Sequence, residues 1–192
     1  MAHVDPLACA LFLIAAFVLA GFAQTAWFKT PMSGRFAVPL DAGLTLRGRR
    51  LLGAHKTLRG FVVMVPATAV AFAALALATG NPERAGLWPL TTRHYAWLGA
   101  WAAFGFMAGE LPNSFAKRQL GIAPGGIGTS SIGRFIQLGI DRLDSPTGML
   151  AALSVVVSIP MMTWAIALLV GPMLHGFFSV LMFRLGLKAR PA

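Results

Sequence analysis

At 192 residues, 57% of them hydrophobic and only 11% charged, with a mean hydropathy of +0.71, this chain falls outside the range of water-soluble domains, which carry roughly 25% charged residues. The length suits one compact all-α bundle of spanning helices and leaves no room for a second, soluble domain. A formal net charge of +10 invites a nucleic-acid reading, but Lys and Arg gathered in cytoplasmic loops account for it better, so no nucleic-acid partner is expected.

The first six residues hold no Lys or Arg, unlike the basic start of a signal peptide, so the first apolar run, about 7–26, is expected to be a retained helix. Cys9 lies inside it and, as the sole cysteine, cannot form an intrachain disulfide. The stretch 29–60 mixes apolar residues, glycines and cations without low complexity and reads as an ordered loop. Apolar runs then predict a second span at about 61–79 and a third at about 95–108, where Gly105 and Gly109 form a G-x-x-x-G pair suited to close helix packing. Residues 111–120 read as a helix continuing or restarting after the third span, with Pro112 near its first turn, inside a second long loop of about 109–145. A fourth span is expected at about 146–170, with Ser145 as N-cap, Pro146 at the first helical position and a kink at Pro160. Gly171-Pro172 supplies a break before a fifth segment, 173–187, whose His175 and Arg184 leave it either spanning or lying partly in the interface.

Loop charge sets the expected orientation. Seven basic residues lie between spans one and two, four between spans three and four, and three in the tail, against only Arg84 and Arg93 on the other side. That asymmetry predicts a multi-pass cell-membrane protein with its N-terminus outside, its C-terminus cytoplasmic and both long loops cytoplasmic.

Three clusters carry chemistry. In Gly139-Ile140-Asp141-Arg142-Leu143-Asp144-Ser145-Pro146 two of only six acidic residues share one face of a helical turn. A carboxylate pair at the edge of lipid is costly unless it is paired, and Mg2+ is a natural partner; capping the positive end of the fourth helix is the alternative. Glu110 adds a third acid at the same membrane face, and Glu110, Ser114 and Lys117 stack at i, i+4 and i+7. Such a stripe suits a metal-bound phosphate, or equally an interfacial helix with a snorkelling Lys. The third cluster, residues 53–60, brings Gly53, Lys56, Thr57, Arg59 and Gly60 together. Glycines, a hydroxyl and two cations are what a phosphate cradle uses, although the spacing is not that of a Walker A loop. A positive-inside flank explains Lys56 and Arg59 but not Gly53, Thr57 and Gly60. The glycine-rich run 122–128 either closes over a nucleotide or simply connects, and the four histidines show no metal-ligand spacing.

Together these blocks resemble the CDP-archaeol synthase family and, more distantly, bacterial phosphatidate cytidylyltransferases. Residues 53–60 are similar to G-[ND]-x-K-T-x-R-G, with Ala54 at the Asn/Asp position. Gly109 through Ile122 are similar to G-D-x-x-x-S-x-x-K-R-x-x-G-I, with Glu110 where Asp is common, and Asp141 to Ser145 match D-R-x-D-S. The resemblance implies a Mg2+-dependent membrane enzyme that joins CTP to a lipid phosphate, giving a CDP-lipid and pyrophosphate. A lipid phosphomonoester has a second pKa of about 6 and is largely dianionic near neutrality, so no strong general base is needed. The demand is for cations around the phosphates. On this resemblance Asp141, Asp144, Lys117 and Glu110 are the catalytic candidates, with Asp141 and Asp144 on Mg2+ and Glu110 either a further ligand or hydrogen-bonded beside the ion. Lys117, Arg118, Lys56 and Arg59 would contact the phosphates of CTP or of the lipid, with Ser114, Thr57 and Asn113 as polar contacts. Arg142 is expected to pair with an acid. The CDP-alcohol phosphotransferases are set aside, because their D-G-x-x-A-R…G-x-x-x-D-x-x-x-D signature is missing. The competing class is a small anion or lipid-phosphate transporter, or a membrane scaffold, without catalysis.

Overall fold

The computed structural model describes residues 4–122 and 131–188, the side chains of 131–136 and 138 excepted. Five long helices run back and forth: α1 (Pro6–Phe28), α3 (Leu58–Ala78), α4 (Thr92–Gln119), α5 (Ser131–Val156) and α6 (Met161–Arg184). A short α2 (Pro31–Arg35) and a small antiparallel hairpin, β1 (Thr45–Leu46) with β2 (Arg49–Arg50), lie between α1 and α3. That hairpin is the departure from an all-helical reading among the described residues. The fold class stands as expected, a helical membrane protein. Among the described residues α1, α3 and α6 are long and apolar enough to cross a membrane, while α4 and α5 each carry acids and cations in one half.

The two ends of the bundle differ. At one end Asp5 caps α1, its carboxylate accepting from the Ala8 N–H at 2.7 Å, and its own N–H donates to the Gly86 carbonyl at 2.8 Å. Trp88 Nε1 donates to the Ser158 carbonyl at 3.0 Å and Thr163 Oγ1 to the Pro6 carbonyl at 2.9 Å. The start of α1, the α3–α4 turn and the α5–α6 turn therefore meet. Below them Phe12, Phe72, Trp88 and Tyr95 pack edge to face in the core. The opposite end gathers the loop 36–57, the last turns of α4, the first half of α5 and the tail.

Several helix boundaries differ from those expected. For 111–120 the continuing alternative holds: α4 runs through Pro112 to Gln119 and joins that segment to 95–108. At 28 residues α4 is about 42 Å long, against a hydrocarbon core of about 30 Å. Ser145 and Pro146 do not begin a helix: α5 runs through them, and the chain turns at 157–160. Nor do Gly171 and Pro172 break the chain, since both lie inside α6. Pro160 ends a turn rather than kinking a helix, standing as N-cap of α6 with φ −59° and ψ 143°. The physical reason is shared. An internal Pro forfeits one backbone hydrogen bond, but membrane helices tolerate that loss when neighbouring helices hold the flanking turns.

At Pro146 the neighbour is α4, and it comes very close. A Cβ on Gly109 would meet the Asp144 carbonyl oxygen at 2.5 Å, and one on Gly105 would meet the Gly148 carbonyl oxygen at 2.6 Å. A Cβ on Gly148 would lie 2.6 Å from the Gly109 Cα. The G-x-x-x-G expectation for Gly105 and Gly109 is met, with Gly148 as the facing residue. Small residues at such a crossing let backbones touch, and this crossing sets Glu110 and Asn113 of α4 against residues 141–145 of α5.

Candidate active site

The loop before α3 is built around Asp41, whose side chain is fully enclosed. Its carboxylate accepts from the N–H groups of Gly43, Leu52 and Gly53, each at 3.1 Å, and from the Arg50 guanidinium at 2.5 Å. Burial works to raise its pKa, but the guanidinium and the three N–H donors win and hold it well below the usual carboxylate range. Gly53 has φ +94°, a conformation that favours glycine, and spends its N–H on Asp41. Gly60 is required for another reason: a Cβ there would meet Met107 Cε at 2.5 Å. Two glycines expected to cradle phosphate thus have structural work, shaping the loop and seating α3 on α4. What they achieve is delivery of the segment between them. Leu40 and Leu58 N–H donate to the Lys56 and Val38 carbonyls at 2.8 and 2.9 Å, which stitches residues 56–58 to the loop and aims Lys56 at α4.

The Lys56 ammonium donates to Glu110 Oε2, and Glu110 Oε1 accepts from Ser145 Oγ at 2.7 Å. Asn113 Nδ2 donates to Asp141 Oδ1 at 2.6 Å and to Asp144 Oδ2 at 2.9 Å. Lys117 forms an ion pair with Asp141, and the Ser145 N–H donates to Asp144 Oδ1 at 2.7 Å. Six of the expected residues, namely Lys56 before α3, Glu110, Asn113 and Lys117 of α4, and Asp141 and Asp144 of α5, therefore share one network with Ser145.

The three carboxylates are joined through Asn113 and Ser145 and do not surround a common point. No group of three or more His, Cys, Asp or Glu side chains is arranged around a metal position among the described residues. The donor chemistry nonetheless fits Mg2+. Carboxylates, an amide and a hydroxyl make an all-oxygen set of the kind hard cations take, and Asp141 and Asp144 already converge on one N–H donor within 2.9 Å.

Beside this network opens a cavity of about 600 Å³. Its polar end is lined by Lys56, Thr57, Arg59, Glu110, Arg142 and Ser145, and its walls run on through Phe17, Met64, Phe106, Met149 and Phe178. Thr57 sits at the N-cap of α3 without using its hydroxyl on the cap. Arg59 is engaged elsewhere: it donates to the Phe28 carbonyl at 2.6 Å and lies 4.0 Å over the Phe28 ring, closing the end of α1. Arg142 forms no ion pair among the described residues, contrary to the expected acid partner, and faces the cavity instead. Ser114 and Arg118 are half-buried on α4 and enter neither the network nor the cavity wall; Arg118 Nε and Nη1 are buried without hydrogen-bond partners among the described residues. Apart from Ile122, the glycine-rich run 122–128 lies outside the described residues.

Sequence reasoning missed four participants. Asp41 belongs to none of the three sequence clusters. Ser145 was read as a helix cap, yet it bridges Glu110 and Asp144. His175 and Lys188 also line the cavity. A histidine within an apolar segment was a legible signal, because ionisable groups at membrane depth usually mark a site.

A sequence model of the family described as CarS-like, CDP-archaeol synthase, matches residues 9–191. The chain is 34% identical over 164 residues to the CDP-archaeol synthase of Halorubrum lacusprofundi, covering 80% of this chain and 83% of that one. It is 34% identical over 161 residues to that of Methanospirillum hungatei, covering 80% and 89%. A shorter match, to that of Methanopyrus kandleri, reaches 41% over 88 residues and spans 45% of this chain and 44% of the relative. A solved structure described as an intramembrane enzyme for archaeal membrane lipid biosynthesis superposes with a TM-score of 0.59 at 27% identity, covering 84% of this chain and 89% of that chain.

Proposed function

The chain belongs to the CDP-archaeol synthase family, and from that premise we propose that it condenses CTP with a membrane lipid phosphate, releasing pyrophosphate. A phosphate oxygen of the lipid attacks the α-phosphorus of CTP. The bond from that phosphorus to the bridging oxygen breaks, and pyrophosphate leaves with the bonding electrons. The nucleophile is already anionic near neutral pH, so the protein's task is to hold two polyanions together and to stabilise charge on the leaving group.

The observation that carries this reading is the junction of two unlike surfaces. An acid–amide–lysine network reaches, through Lys56, Glu110 and Ser145, a cavity whose polar end also carries Arg59 and Arg142 and whose other walls are largely apolar. A lipid phosphate matches such a cavity, with its head at the mouth and its tails against Phe17, Met64 and Phe106. Lys56 stands on the cavity wall and Lys117 deeper in the network, each now neutralised by a carboxylate; with Mg2+ held by the acids, both ammonium groups would be free to turn to phosphate oxygens. Asp141 and Asp144, with Glu110 beside them, are the residues that would hold Mg2+, which supplies charge neutralisation for the triphosphate. Arg118, whose buried N–H groups lack protein partners among the described residues, is a further phosphate contact.

Purified protein given CTP, Mg2+ and either a diacyl or an ether-linked lipid phosphate should release pyrophosphate and form the CDP-lipid. Folded protein that turns over neither lipid would replace this reading with the transporter or scaffold.

A further inference from the structure

The cavity mouth holds more positive charge than the network accounts for. Lys56 is paired with Glu110, and Arg59 is committed to the end of α1. Two cations on the wall have no carboxylate partner among the described residues: Arg142 of α5, and Lys188 just beyond α6. Lys188 Nζ donates at 2.6 Å to Ser179 Oγ, a neutral acceptor one face of α6 away. His175, also on α6, lines the same cavity. Of the described residues after α6, Leu187 and Lys188 therefore return to the cavity wall.

We propose that Lys188, together with Arg142, receives the phosphate of the lipid substrate, so that the segment following α6 supplies part of the headgroup site. The proposal rests on the CTP–lipid phosphate reading and assigns its two anions to different cations. A dianionic phosphomonoester suits two cations arriving from separate elements. A phosphate dianion offers the ammonium a hydrogen bond and direct charge–charge attraction, where the Ser179 hydroxyl offers the hydrogen bond alone, so it displaces that hydroxyl. The lipid, not the nucleotide, is the partner of this pair, because both cations stand on the wall that continues into apolar surface from Met149 and Phe178.

The test compares Lys188→Gln and Lys188→Arg with the wild type in detergent. In steady-state turnover, Lys188→Gln should raise KM for the lipid phosphate about ten-fold and leave KM for CTP within about two-fold, and Lys188→Arg should recover most of the loss. A rise in KM for CTP alone, or no change in either, overturns the assignment. A second arm measures binding without CTP, using phosphatidic acid and the diacylglycerol with the same chains. The wild type should prefer the phosphate by about ten-fold or more, and Lys188→Gln should lose most of that preference; a preference that survives in the variant overturns the proposal. If the preference is lost as expected but the wild type turns over no CTP, the headgroup site stands and the cytidylyltransferase reading falls.

Discussion

In the proposed reaction the chemistry turns on Asp144, one of whose oxygens faces Asn113 and the other the backbone of its own helix. Asp144→Asn keeps the shape but removes the charge that a divalent cation would need. We expect kcat to fall by about 100-fold or more, with the concentration of Mg2+ for half-maximal rate moving upward and the thermal midpoint in detergent little changed. Rates and Mg2+ dependence equal to wild type would remove Asp144 from the metal site. Asp41 makes the contrasting case, an enclosed carboxylate whose work is structural. Its pKa is depressed, so the stability it contributes is present above the ordinary unfolded value of about 3.9 and is lost only as pH falls toward the lower folded value. Asp41→Asn should therefore cost about 2 kcal/mol at neutral pH and flatten the acid limb of the stability profile below about pH 4. Thermal unfolding across pH, with proteolysis of the loop 36–57 as the local probe, checks both. A variant as stable as wild type, with the same acid limb, would mean that Arg50 and the loop N–H groups find other partners.

At the scale of elements, the crossing of α4 and α5 does for the site what no single residue can. Gly105 and Gly109 on one helix and Gly148 on the other set backbone against backbone at the crossing, with the Ala152 methyl beside Gly105, so Glu110 and Asn113 reach residues 141–145 directly. In Gly148→Ala the new methyl would meet the Gly109 Cα at 2.6 Å, against rigid backbone. The helices must separate, at about 1–3 kcal/mol. Activity should fall further than stability, since separation loosens the Asn113 and Ser145 bridges; Gly139→Ala, on the same helix with open space around it, is the control. If Gly148→Ala kept full turnover, the close crossing would not be what positions the acids. This crossing also marks how far the sequence could be read. The G-x-x-x-G pair and the charged blocks were visible because each is a local pattern of residue types. The helix limits were misread at Ser145, Pro146 and Pro172, because proline chemistry is local whereas its tolerance here comes from a helix distant in sequence. Gly53 and Gly60 looked like a phosphate cradle for the same reason: only the fold reveals that Asp41 takes one N–H and Met107 fills the space beside the other.

Across the whole molecule, charge is sorted by end. Arg84 and Arg93 lie toward the end where Asp5, Gly86 and Ser158 meet, and the other basic residues of the described segments belong to the opposite end with the site. On the proposed reading the site faces the compartment that supplies CTP, and cytoplasmic loops collect cations; from both considerations we propose that the loop 36–57, the acids and Lys188 lie inside, and Asn81 outside. The chain is well suited to a direct test, because its sole thiol, Cys9, is completely buried between helices and should stay silent to labelling. Asn81→Cys, on the exposed α3–α4 turn, should react with a membrane-impermeant maleimide on intact cells. Arg47→Cys, at the hairpin tip with its side chain in solvent, should react only after the membrane is opened. The reverse pattern would place the acid network away from cytoplasmic CTP and overturn the proposed orientation, and labelling of both positions on intact cells would mean that the loop and the turn share one side, which a membrane-crossing α3 between them cannot produce.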